Sequence, residues 1–240
     1  MDALSEHARW LIAAPIYAAA YLIGIAAFGW MAKRRGLSTA GIWLLMQAAL
    51  IGGLIGANAA QLFTTGTAGK TIVGGIVGGY LAVVWMKRRL GIKRPTGDLF
   101  ALALPAGEAI GRIACFLGGC CFGKAATVAW AVHDHGVLRH PTQLYLAIAA
   151  AGVFGVLFHL ERKRFLPENG LFYVQIALFC GTRFVIEFFR AGEVSAIGLT
   201  IAQLAALGGF AFATYKLAQL TNRGAFPSVS KAALSVTTIQ

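Results

Sequence analysis

Four ionisable residues stand inside otherwise apolar stretches, and their spacing is the first sign of chemistry. Glu108 and Arg112 are four residues apart, as are Arg183 and Glu187. On a helix this spacing puts the members of each pair on one face, where they neutralise each other. Ionisable groups inside a membrane segment are costly and need a partner or a purpose. As structure alone, these are two ion pairs that pin helices together. As chemistry, two guanidinium groups at similar depth fork onto the oxygens of a phosphodiester, which a lone lysine holds less specifically. The anion site is the preferred reading.

Two neighbouring runs add candidates. From Gly111 to Gly123 the chain is rich in glycine and carries Cys115, Cys120 and Cys121; a fourth cysteine, Cys180, lies between Phe179 and Gly181. Glycines there let backbone N–H groups approach a ligand. The thiols read as small buried hydrophobes, as a disulfide on an oxidising side of a membrane, or as a nucleophile activated by Lys124 or a loop histidine. Cys120 and Cys121 are adjacent and no Cys-x-x-Cys pair is present, so no metal ion and no cofactor are expected. His133, Asp134 and His135 follow, and by themselves they read as solvated loop residues, with metal binding or proton transfer as the alternatives. The run Arg139-His140-Pro141-Thr142-Gln143-Leu144-Tyr145 is more specific. It sets a basic pair before a helix start and sends Gln143 and Tyr145 inward at the membrane interface.

The elements that position these residues follow from composition. Hydrophobic residues make up 58% of the 240 residues, charged residues only 12%, and the mean hydropathy is +0.70. Soluble domains carry about 25% charged residues. Seven apolar segments can be marked, at 10–32, 40–60, 71–86, 99–119, 143–160, 171–189 and 197–215. Most are near the ~20 residues that cross a bilayer as helix. The third is short and carries Gly74, Gly75, Gly78 and Gly79, which suits close helix packing. The fourth, with Pro105 and Gly107 inside it, admits a broken or re-entrant helix. An all-α, multi-pass bundle over residues 1–220 is therefore expected, with a short outer loop at 124–141 and a mobile cytoplasmic tail at 221–240.

The net charge of +12 reflects topology rather than nucleic acid. With the N-terminus outside, the inner side holds Lys33, Arg34, Arg35, Lys87, Arg88, Arg89, Lys93, Arg94, Arg162, Lys163, Arg164, Lys216, Arg223 and Lys231. The outer side holds Arg9, Lys70, Lys124, Arg139 and Arg190. That asymmetry predicts N-out and C-in. Basic residues follow the first apolar segment instead of preceding it, so it reads as a retained helix rather than a signal peptide.

These runs resemble the bacterial prolipoprotein diacylglyceryl transferases over roughly residues 10–215. The family's Arg-His-Pro-(Ser/Thr)-Gln-Leu-Tyr motif is met by Arg139 to Tyr145, and its Gly-Arg-Ile-Gly signature by Gly111 to Ala114. Its Arg-Phe-x-x-Glu-Phe-Phe-Arg run is met by Arg183 to Arg190, and its paired tyrosines by Tyr17 and Tyr21. Family members move the diacylglyceryl group of phosphatidylglycerol onto a lipobox cysteine and release glycerol phosphate. The resemblance implies that Arg112 and Arg183 hold phosphate, with Tyr17, Tyr21, Gly74, Gly75, Glu108, Cys115, Gln143, Tyr145, Glu187 and Arg190 around the substrate. It also implies a bacterial inner-membrane protein whose partners are phospholipid and a prolipoprotein, with its site on the outer, periplasmic side.

The departures are specific. Val73 stands where the family has a catalytic histidine before Gly74 and Gly75, and Cys115 and Cys120 replace a signature asparagine and an acidic residue. Leu146 replaces a glutamate, Phe179 a tyrosine, and the region between Gly123 and Arg139 is short. His140, His133 or His135 is then the expected substitute base. Two rivals remain: transfer of a lipid group to another acceptor, such as a small thiol or a glycan, and a non-catalytic lipid-binding or transport protein of the same fold.

Overall fold

A computed structural model describes residues 6–65, 71–134, 136–192, Ser195 and 198–222. The described residues form α1 (Glu6–Arg34), α2 (Ala40–Thr65), α3 (Ile72–Arg89), α4 (Asp98–Ala101), α5 (Ala103–Leu117), β1 (Val132–Asp134), β2 (Val137–Arg139), α6 (Thr142–Lys163), α7 (Gly170–Glu187) and α8 (Ile201–Asn222). Six spans among them are long and apolar enough to cross a membrane, with Asp98–Leu117 counted as one. The short third segment is α3, whose last turn is Lys87, Arg88 and Arg89. The protein is an all-α, multi-pass membrane protein. Residues 223–240, most of the expected tail, lie outside the described residues.

The expected irregularity in the fourth segment is small. The helix is interrupted only at Leu102, which keeps helical torsions of −90° and −30°. Pro105 falls in the first turn of α5, where a missing N–H costs little. Pro15 lies inside α1, and Arg164, at φ 48°, ends α6 in the left-handed region.

The chain divides into two compact units. One is Ile25–Leu99, built from the end of α1 with α2 and α3. Here the glycines of α2 and α3 meet backbone to backbone. A Cβ on Gly56 would lie 2.8 Å from Gly78 Cα and collide with the Gly74 carbonyl, whereas one on Gly53 would stand 3.4 Å from the Gly75 carbonyl. Gly56→Ala should therefore lower the apparent melting temperature in detergent, with an overpacking cost of about 1–3 kcal/mol, while Gly53→Ala should melt close to the parent. Equal melting of the two variants would contradict this packing. Arg35 closes the same unit with a 2.7 Å ion pair to Asp98.

The other unit joins Met1–Gly24 to Phe100–Gln240. In it α5 packs on α6, α6 on α7, and α7 on α8. The loop between α5 and α6 is an organised strap. β1 and β2 pair antiparallel, with Val132 opposite Arg139 and Asp134 opposite Val137. Before the hairpin, Gly123 bridges to Arg190 and Ala125 to Arg139.

Candidate active site

The strap brings the two most specific sequence runs together. Gly123 N–H donates to the His140 carbonyl at 3.1 Å, Lys124 N–H to the Phe189 carbonyl at 2.9 Å, and His140 N–H to the Lys124 carbonyl at 3.0 Å. Residues 123–124 are thus laced between the 139–145 run and the 183–190 run. Only glycine fits at position 123. A Cβ there would lie 2.5 Å from the His140 carbonyl and 2.7 Å from both His140 Cβ and the Phe189 carbonyl.

Behind the strap lies a half-buried cluster of three arginines and two glutamates. Arg112 Nε and Nη2 donate to Glu108 Oε1 at 3.2 and 2.9 Å. Arg183 Nη2 lies 2.8 Å from Glu187 Oε2, and Arg190 Nε lies 3.4 Å from the same oxygen. Arg183 also feels the charges of Arg190, Arg112 and Glu108, so the five residues act as one electrostatic unit with a net charge of +1. Arg183 Nη1 and Arg190 Nη1 are buried without a hydrogen-bond partner among the described residues. Buried polar groups are satisfied in the great majority of cases, so two orphaned guanidinium N–H groups call for an explanation. An anion supplies one.

The cluster opens into a cleft between α5, α6 and α7. Glu108, Arg183, Thr182 and Gln175 supply its polar lining, and Pro105, Leu146, Ala150, Val153 and Phe179 its apolar lining. Arg183 sits toward the strap end of α7, Glu108 and Val153 lie near the middle of their spans, and Gln175 and Pro105 lie toward the ends away from the strap. A ligand that fits has one charged end and an apolar body.

Of the candidate bases, His140 is the one whose backbone is tied through Gly123 and Lys124 to the Phe189–Arg190 end of the other run. Its Nδ1 is 3.1 Å from the Tyr145 hydroxyl, and its ring packs on Phe189 at 5.2 Å between centroids. Trp130 Nε1 donates to the same hydroxyl at 2.7 Å. Indole can only donate, so the phenol oxygen accepts from Trp130, and in the tautomer with the imidazole proton on Nε2 the phenol hydrogen goes to Nδ1. His133 is exposed on β1. His135 lies outside the described residues.

The other expected substrate residues divide. The Tyr17 hydroxyl meets Cys115 Sγ at 3.1 Å, and Tyr21 is 57% exposed. The Gln143 amide donates to the Cys120 carbonyl at 2.7 Å and Thr142 Oγ1 to the Cys121 carbonyl at 3.1 Å, so this run also supports the cysteine turn. Gly74 and Gly75 belong to the other unit, where both face α2. Val73 there is 61% exposed. Sequence reasoning passed over three contributors: Gly123, Trp130, and the Arg9–Asp134 ion pair at 3.5 Å, whose side chains are each 11% exposed. Gly123 carried a signal as the end of the glycine-rich run, Asp134 as part of the His133-Asp134-His135 triplet and Arg9 as a cation at the start of an apolar segment, whereas Trp130 carried none.

In the turn after α5, hydrogen bonds with Cys115 and Cys120, then the charges of Arg190 and Arg112, hold the Cys121 thiol well below its ordinary range. The same bonding, with Cys115 first and Cys121 next, pushes the Cys120 thiol up.

Fold and site together define a multi-pass helical membrane protein with a buried cationic centre at one end of an amphipathic cleft. The chain belongs to the prolipoprotein diacylglyceryl transferase family, whose sequence model matches residues 11–218. A phosphatidylglycerol–prolipoprotein diacylglyceryl transferase of Geobacter sulfurreducens is 34% identical over 134 residues, 54% of this chain and 52% of that protein. A protein of the same name from Clostridioides difficile is 34% identical, covering 63% of this chain and 61% of its own length. One from Ectopseudomonas mendocina is 29% identical over 207 residues, 74% of this chain and 76% of its own. The chain spans about half the length of the first relatives it matches.

Proposed function

We propose that this protein transfers the diacylglyceryl group of phosphatidylglycerol to a thiol acceptor such as a prolipoprotein cysteine, at the outer leaflet of a bacterial inner membrane. The observation that carries the reading is the pair of buried, unpartnered guanidinium nitrogens on Arg183 and Arg190 beside a cleft with an apolar lining. A phosphodiester satisfies both nitrogens, and the apolar residues of the cleft offer the lipid an apolar surface beside the charged end. N-out topology, from the distribution of basic residues, puts the strap and the cluster on the outer side.

The chemistry is a displacement at a glycerol carbon. The carbon–oxygen bond to phosphate breaks, a carbon–sulfur bond forms, and glycerol phosphate leaves with the bonding electrons. Arg183 and Arg190 stabilise the charge on the leaving phosphate, while Arg112, held by Glu108, adds to the field. The acceptor thiol must lose its proton. Tyr145 receives it and passes its own to His140 Nδ1, a relay that replaces the histidine absent at Val73.

Incubation with headgroup-labelled phosphatidylglycerol and a lipobox peptide tests this. The expected result is released glycerol phosphate matched mole for mole by diacylglyceryl peptide. The absence of a histidine at Val73 favours a second reading, transfer to another acceptor, for which glycerol phosphate appears without modified peptide. Lipid binding without turnover would replace both with a lipid-binding protein.

A further inference from the structure

We propose that Cys115, Cys120 and Cys121 form a thiolate site for a single thiophilic d10 cation, Cu(I) or Zn(II). Sequence spacing argues against a metal because Cys120 and Cys121 are adjacent and no Cys-x-x-Cys pair is present. The fold removes that objection. Gly119 at φ +67° and Cys121 at φ +62° turn the chain back on itself after α5, and the three sulfur atoms come within 4.8 Å of one another. A metal–sulfur bond of about 2.3 Å sets sulfur–sulfur separations of roughly 4 Å in a three-thiolate site, so closure needs less than ~1 Å of movement.

Three further features fit a ligand-binding turn. Left-handed torsion at a non-glycine residue is costly, and such strain gathers at ligand clamps. The carbonyls of Cys120 and Cys121 are held by Gln143 and Thr142, which fixes the backbone that aims the thiols. Arg190 and Arg112 place positive charge close to Cys121. Three thiolates around Zn(II) carry a net charge of −1, and around Cu(I) −2, so adjacent guanidinium groups offset the excess. Soft sulfur donors select Cu(I) and Zn(II) over magnesium, calcium and manganese. The proposal stands on the thiol geometry and does not depend on the transfer reaction.

The test uses the reduced, full-length protein in detergent. Cu(I) is titrated in competition with a chromogenic chelator, Zn(II) is titrated separately, and Co(II) serves as a spectroscopic substitute. We expect one equivalent of metal and a thiolate-to-cobalt charge-transfer band. Cys121→Ser and Cys115→Ser should each weaken binding by more than the roughly 100-fold typical of losing a supporting contact. Cys180→Ala, outside the cluster, should bind as the parent does, and thermal melting of each variant confirms folding. Tighter retention of copper or of zinc decides which cation the site prefers. Binding unchanged by both serine variants, or no binding by folded, fully reduced protein, would overturn the site. So would intact mass showing a disulfide within the cluster that re-forms after reduction in the presence of either metal.

Discussion

Arg183→Lys and Arg190→Lys are each expected to lower kcat/KM for phosphatidylglycerol on the order of 10²-fold while the protein still folds. Lysine keeps the charge, so its interaction with Glu187 survives in part and the helix end stays neutralised. It loses the planar fork that binds two oxygens at once. Glutamine at either position removes the charge as well and leaves Glu187 with less compensation. Its effect should approach 10³-fold, the upper range for deleting one preorganised donor to a developing anion. The loss should fall mainly on kcat, because leaving-group charge grows as the bond breaks. The assay is release of labelled glycerol phosphate from mixed micelles, with melting temperature as the folding control. Full activity in an Arg112→Gln/Arg183→Gln double variant would remove the phosphate site from this cluster.

His140→Gln should abolish thiol alkylation at neutral pH and recover part of it in alkaline buffer. A free cysteine thiol has a pKa near ~8.5, so at pH 7 only a few per cent is thiolate and the reaction depends on a base. General-base assistance contributes about 10²–10⁴-fold. Above the thiol's own pKa the acceptor ionises without help, and the deficit of the variant should shrink as pH rises from 6 to 9. Tyr145→Phe should show the same trend, because it cuts the 3.1 Å link to Nδ1 while leaving the imidazole in place. His133→Gln should stay near the parent rate, since its side chain is exposed on β1. A pH-independent deficit in His140→Gln would mean that the ring only supports Phe189. Full rate at every pH in the His140, His133 and His135 variants alike would retire the substitute base. A non-thiol acceptor would then lead.

These two results also separate layers of the site. The arginine variants act on lipid regardless of acceptor, whereas the histidine variant acts only where a proton must be taken from the acceptor. Loss in the first with no pH trend in the second is the signature of transfer to a different acceptor.

Much of the molecule was determined locally and so was readable in the chain. Apolar length and basic clusters set the membrane helices, because the bilayer fixes how long an apolar helix must be and where cations settle. The Glu108–Arg112 and Arg183–Glu187 pairs follow from helical periodicity, and both ion pairs occur. Other features depended on which distant segments meet. The bridge between Gly123 and Arg190 ties the residues just past α7 to the strap. No local pattern predicts a bridge between residues so far apart. The convergence of three cysteines likewise depended on two left-handed torsions and on side chains from α6 that hold the turn. Gly74 and Gly75, grouped with the substrate by motif, lie in a unit where their lack of side chains lets α2 and α3 touch. Periodicity within a helix is set by the chain's own geometry. Contacts between loops are set by long-range backbone pairing, and only the tertiary structure decides which donors and acceptors meet.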